Sequence, residues 1–289
     1  MDRKKRDRFA GIFSLVTMTV ALTVIWTPSR CLAIGDITVS PTRVVFEGNV
    51  RKARVALINR GTSPQTYRIA WTRKRMTEQG DYETIDTPQP GEAFSDSMVR
   101  FSPRQVVLPP GKPQTVRLLL RKPAGLADGE YRSYLTFTAL PSADDDGIER
   151  QLDHKEEIAI HLRPVMSISI PVIVRHGRTE ADVALSTLSL QPTDDGGTTL
   201  EMVFEHSGNR SLHGDVIVEF HPRSGGGAIT VGRANGVSVF PPAKRRRFRL
   251  PLAVPAGTEL RHGELRVRYR EQSADDDSSP LAEAVLRLP

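Results

Sequence analysis

From Ile37 onward the chain alternates: apolar residues recur at every second position in short runs, and each run stops at Gly, Pro or Asn. "KARVALINRG" alternates and ends at an Asn-Arg-Gly turn, and "QTYRIAWTRKRM" puts Tyr67, Ile69 and Trp71 on one side. "MVRFSPRQVVLPPGKPQTVRLLLRKP" reads as two short strands around a Pro-Pro-Gly turn, and "GEYRSYLTFTAL" alternates again. No long segment repeats apolar residues at helical spacing. A period of two buries one face of a strand and exposes the other, so such runs between turn residues predict an antiparallel all-β sandwich. Seven candidate strands lie between Ile37 and Arg175, which suits one immunoglobulin-like domain at 34–176. A second set, from "ADVALSTLSLQ" through "TTLEMVFEHSG", "LHGDVIVEFHP", "AITVGRANGVSVF", "AKRRRFRLPLAV" and "GELRVRYRE" to "PLAEAVLRLP", predicts another at 177–289. The boundary near His176 to Glu180 is short enough to predict a fixed, L-shaped arrangement with a cleft.

One stretch is too long for a single ordinary strand. In "EEIAIHLRPVMSISIPVIVR" Ile158, Ile160 and Leu162 alternate with Ala159, His161 and Arg163. After Pro164 the pattern resumes at Met166, Ile168 and Ile170, with serines between. Pro164 offers no amide hydrogen, so pairing has to break or bulge there. The charged loop "SADDDGIERQLDHKEE" introduces the stretch.

The first residues, "MDRKKRDRF", are cationic, an apolar run follows from Ala10 to Trp26, and Cys31 and Ala33 form a small-x-small site. This is the pattern of a secretory signal peptide at 1–33, cut after Ala33; an uncleaved anchor is the alternative. Cys31, the single cysteine, falls inside that leader, so the remaining chain has no disulfide and no cysteine metal site. That chain carries 34 basic and 32 acidic residues, a balance that calls for no nucleic acid.

Chemistry is sparse. Neither a Gly-x-Ser-x-Gly nucleophile motif nor a phosphate-binding loop before a helix occurs. "RSGGGA" between two predicted strands reads as a hairpin turn. The seven histidines lack the spacing of a helical zinc motif. "AKRRRFRL" is the densest basic run; it reads as the solvated face of an edge strand, or as a contact for an anionic surface. The Asp triplets at 144–146 and 275–277 lack the spacing of a calcium loop. No enzyme, metal or cofactor is expected.

"ITVSPTRVVFEG", "KARVALINRGTSPQTYRIAW", "VRFSPRQVVLPPGKPQTVRLLL" and "LADGEYRSYLTF" together resemble the first domain of the PapD-like periplasmic chaperones of chaperone–usher pilus assembly. The resemblance implies a periplasmic, non-enzymatic chaperone. Such a protein lends a strand to pilin-like subunits that lack their final one, and hands them to an outer-membrane usher. It implies Ile158, Ile160, Leu162, Met166 and Ile168 as donor side chains, and Arg43 as the anchor for the subunit's terminal carboxylate. The family's second cleft cation, a lysine, aligns near Pro171, leaving Arg163 and Arg175 as the nearest substitutes. The family's Arg-Glu-Ser is here Tyr131-Arg132-Ser133. A self-capping dimer stays open. The rival reading is a secreted adhesin of tandem immunoglobulin-like domains.

Overall fold

A computed structural model describes residues 37–141, 148–150, 160–162, 165–272 and 279–289, with the backbone alone at 148–150 and 160–162. Among these residues there is no helix. The strands of the first half are β1 (Ile37–Ser40), β2 (Val44–Phe46), β3 (Lys52–Asn59), β4 (Gln65–Thr72), β5 (Lys74–Met76), β6 (Tyr82–Thr84) and β7 (Val99–Ser102). They continue with β8 (Gln105–Leu108), β9 (Pro113–Leu120), β10 (Gly129–Ala139), β11 (Ile148–Arg150), β12 (Ile160–Leu162) and β13 (Ser167–His176). The second half holds β14 (Ala181–Pro192), β15 (Thr198–Gly208), β16 (Leu212–Pro222), β17 (Ile229–Val239), β18 (Arg245–Leu252), β19 (Gly263–Glu271) and β20 (Ala282–Arg287).

The fold is all-β, two sandwiches in series. In the first, sheet β1-β3-β9-β7 packs on sheet β2-β13-β10-β4-β8. Val55, Leu57, Val116 and Leu118 meet Phe46, Ile69, Leu135, Phe137, Ile170 and Val172 between them, all buried. In the second, β14-β15-β18 packs on β17-β16-β19-β20 around Phe204, Val216, Val218, Val267 and Tyr269. Each fully buried side chain of this size contributes about 1.5–3 kcal/mol, which is how alternation selects the fold. The turn after β3 is tied by Asn59, whose Nδ2 donates to the Ser63 and Leu108 carbonyls at 2.7 and 2.9 Å. Its Oδ1 accepts from the Gly61 amide at 2.8 Å.

Three local departures from the expected strands matter for function. The opening run breaks at Pro41: β1 pairs antiparallel with β3, then β2 crosses to the other sheet and runs parallel to β13. Arg43 stands at that crossing. The run "QTYRIAWTRKRM" is not one strand, because after Thr72 the chain leaves β4 and forms the hairpin β5–β6. Met76 of that hairpin and Ile173 of β13 are buried in the second sandwich's core, so the first half of the chain contributes to the second core. The third run, "VRFSPRQVVL", divides at Pro103 into β7 and β8, one in each sheet.

The connection between the sandwiches, 177–180, is stapled on both sides. The Asn209 amide donates to the Glu180 carbonyl at 3.0 Å, while its side chain accepts from the Glu180 amide at 2.9 Å. Gly177 has φ +60°, and a β-carbon there would collide with the Asp128 carboxylate, which accepts from the Arg178 amide. Only glycine fits that position without movement.

Candidate functional site

The site is built from β13 and the strands beside it. The long stretch does not continue as one strand: β12 pairs antiparallel with β11, Ile160 opposite Arg150 and Leu162 opposite Ile148, apart from the main sheets. β13 begins at Ser167 and pairs along its whole length with β10. On its other side β2 covers only Val172 to Val174. Among the described residues no strand occupies the lane beside Ser167 to Pro171. The Met166 carbonyl accepts from the Ala139 amide at 3.0 Å, across the register that pairs Phe137 with Ile168. Antiparallel ladders alternate, so Ile168 and Ile170 direct their backbone groups at β10, and Ser167, Ser169 and Pro171 direct theirs into the empty lane. Pro171 therefore sits where its missing amide breaks no ladder bond. Side chains alternate as well: Ile170 is buried in the first core, Ile168 is partly buried against it, and Met166 and Val165 are 47% and 51% exposed.

Where β2 closes the lane, a cationic cleft lies between the sandwiches. Arg43 Nη2 donates to Ser211 Oγ at 2.8 Å, and Ser211 Oγ donates to Glu130 Oε2, also at 2.8 Å. Arg43 Nη1 is buried with no hydrogen-bond partner among the described residues. Burial pulls the Arg43 pKa down; Glu130 opposes this, while Arg175 and Arg132 reinforce it. Arg132 lies opposite Ile173, its guanidinium 4.0 Å from the Phe240 ring centre and that of Arg43 at 5.6 Å. Arg132 Nε too is buried without a hydrogen-bond partner. Lys74 donates to Ser169 Oγ at 2.9 Å and stands 5.8 Å from the Tyr134 ring, and burial lowers its pKa. Of the carboxylates nearby, Glu130 and Glu47 both hold Arg175, at 3.3 and 2.9 Å, and Glu92, which lines a small pocket with Lys74 and Arg132, pairs with Arg75 at 2.6 Å. Two guanidinium groups with N–H donors that no described residue uses, beside an aromatic ring, have the chemistry to bind an anion such as a carboxylate, since charge-assisted bonds to such a fork are the strong ones.

Of the residues singled out from sequence, Arg43 thus lies in the cleft and Arg175 beside it, but the Arg175 guanidinium is already paired. Arg163 and Ile158 lie outside the described residues. Met166 and Ile168 flank the open lane, and Ile160 and Leu162 lie on β12. Arg132, Lys74, Glu130, Ser211 and Phe240 were not expected. The signal for Arg132 was present: Leu135 and Phe137 face the core, so Glu130, Arg132 and Tyr134 must share the opposite face of β10. For Ser211 and Phe240 no signal existed, because the second sandwich brings them, and Lys74 arrives on the unforeseen β5–β6 hairpin.

The competing features are accounted for. In "AKRRRFRL", Arg245, Arg247 and Arg249 pair with Glu205, Glu78 and Glu201 at 3.3, 2.9 and 2.8 Å, and the half-buried Arg246 donates to the Ser238 carbonyl. "RSGGGA" is the β16–β17 connection, with Gly225 and Gly226 at φ +88° and +119°. Both Asp triplets lie outside the described residues. His213 Nδ1 stands 2.7 Å from Ser238 Oγ, but Ser238 is 7% exposed, too enclosed to meet a substrate.

No protein-family model and no curated protein sequence matches the chain. Solved structures do. The YadV chaperone shares 12% identity at a TM-score of 0.43, over 88% of this chain and 100% of its own. The CsuC chaperone, bound to the tip subunit CsuE of archaic Csu pili of Acinetobacter baumannii, shares 12% at 0.42, over 87% and 97%. The Salmonella enterica SafB chaperone in complex with SafA pilin shares 14% at 0.41, over 86% and 96%. At such identity the site has to be judged on its own residues.

Proposed function

We propose that this protein is a periplasmic chaperone that completes a strand-deficient, pilin-like subunit by lending it β13 and the chain before it, and passes the subunit to an outer-membrane usher. The observation that carries this is the half-covered strand: a lane beside Ser167 to Pro171 that no strand among the described residues occupies, ending at Arg43. A partner strand laid in that lane gains main-chain hydrogen bonds, which is recognition by β-augmentation. With its last residue at the cleft it runs parallel to β13, in line with β2, and its terminal carboxylate reaches the idle donors of Arg43 and Arg132. The anchor pair is then Arg43 and Arg132, with Lys74 behind them, while Arg175 orients Glu130. Met166 and Ile168 are the donor side chains nearest the cleft, with Ile158, Ile160 and Leu162 further along. The leader-like 1–33 segment supplies the export this role needs.

The test is co-purification of the tagged chain with small exported proteins, in three forms. The unaltered protein is expected to bring down one such partner in equal amount. Ser167→Pro, which removes a lane-facing amide and spares the β10 ladder, should lose it, as should Arg43→Ala. A clean monomer, or a partner retained by Ser167→Pro, defeats the proposal.

A further inference from the structure

The opposite side of the first sandwich has an electrostatic character that strand donation does not use. The segments 48–63 and 97–122, which hold β3 and β7 to β9, contain ten Lys and Arg and not one Asp or Glu. None of the ten makes an ion pair among the described residues, whereas Arg245 and Arg249 of β18 and Arg266 and Arg268 of β19 meet carboxylates on neighbouring strands. The core side chains of β3, β7 and β9 fix which of these cations face outward. Val55, Leu57, Val99, Val116 and Leu118 point inward, so Lys52, Arg54, Arg100 and Arg117 project from the outer face, and all four are exposed. Arg54 is directly opposite Arg117, and Lys52 and Arg100 both flank Leu119. Like charges facing each other across a sheet are destabilising, and no carboxylate among the described residues pairs with them. Together they rim a shallow groove of about 720 Å³ with Leu119, itself 36% exposed, on its floor.

We infer that this face docks on an anionic lipid surface, its cations meeting headgroup phosphates. Two features favour a membrane over an acidic protein. The charges spread in two dimensions, over three strands about 4.8 Å apart, as a headgroup lattice does and an extended peptide does not. The centres of protein interfaces are depleted in charge, and lysine is disfavoured there, whereas this patch has cations at its middle. Arginine's forked donors suit phosphate. Each cation close to an anionic leaflet strengthens binding about fivefold, so three together are worth on the order of a hundredfold. The open lane lies in the other sheet of the sandwich, so membrane docking leaves it free for a client.

The test uses the chain from Ile34 onward, the compact unit that carries both cores and omits the cationic leader. It is sedimented with vesicles of phosphatidylcholine alone or with one-third phosphatidylglycerol, at low and at high salt. Binding is expected only to the anionic vesicles, falling with salt. The triple variant Arg54→Gln, Arg100→Gln, Arg117→Gln should lose it by on the order of a hundredfold. Arg245→Gln, Arg247→Gln, Arg249→Gln, with the same loss of charge on the paired face, should keep it. Equal loss in both triples, or no binding by the unaltered protein, overturns the inference. So does capture by polyglutamate but not by vesicles, which points to an acidic protein. Melting temperatures of both triples separate loss of binding from loss of fold.

Discussion

Arg43 carries the tension of the cleft. Its guanidinium is stripped of most of its water, hydrogen-bonded to Ser211, and set among other cations, so the described residues satisfy it poorly. A buried cation of this kind is costly to the fold, and on the proposed reading a client's carboxylate would relieve that cost. His213 reports on the same field. Burial first, and then the charge of Arg43, push its pKa below the ordinary imidazole value, and hydrogen bonding to Gln272 opposes them. The unfolded chain therefore takes up a proton, starting near pH 6.5, that the folded chain refuses. Stability is expected to fall as pH drops through that range and not to depend on His213 above it. Urea unfolding at a series of pH values checks this: His213→Gln should remove that part of the slope. In addition, Arg43→Met should raise the His213 pKa seen by NMR. An unchanged slope in His213→Gln would assign the acid sensitivity elsewhere.

Among elements, the seven runs read from Ala181 onward each contain one strand of the second sandwich, and even Pro251, inside β18 and opposite Thr199, does not divide its run. In the first sandwich the same reading fails at Pro41 and Pro103, where a run changes sheet, and at Arg73, where β4 gives way to a hairpin. Alternation identifies which side chains share a face; it carries no information on which sheet that face belongs to. Arg43 and Arg175 are named through the family resemblance, whereas neither alternation nor that resemblance points to Lys74 or the hairpin bearing it. The β5–β6 hairpin holds the cleft's geometry. Its turn binds β18 through Arg247, whose amide donates to the Glu78 carbonyl at 2.6 Å and whose guanidinium meets the Glu78 carboxylate. Met76, 5% exposed, fills the second core. Cutting Met76 to alanine is expected to destabilise the protein by about 2–5 kcal/mol, the range for a buried methionine. A hairpin merely resting on the surface would lose almost nothing. Urea denaturation distinguishes the two.

At the scale of the whole molecule, two sandwiches that share buried residues cannot behave as independent beads. Ile173 lies on a strand of the first sandwich and is completely buried in the core of the second. Met76 does the same from the hairpin, Asn209 staples the connection, and the Arg43–Ser211–Glu130 chain crosses from one sandwich to the other. Unfolding either half would expose Ile173 and Met76, break that chain and leave the buried Glu130 carboxylate without Ser211. The free energy lost at this junction penalises every half-folded state. The chain from Ile34 is therefore expected to melt in one transition, with calorimetric and van't Hoff enthalpies equal. A variant with Met76→Asp and Glu78→Lys attacks the junction alone. It should separate the melt into two transitions, and because the cleft is assembled from both halves, it should also weaken carboxylate anchoring with β13 intact. Two transitions in the unaltered protein would mean that the junction is too weak to set the cleft, and that Arg43 meets its anion without help from the second sandwich.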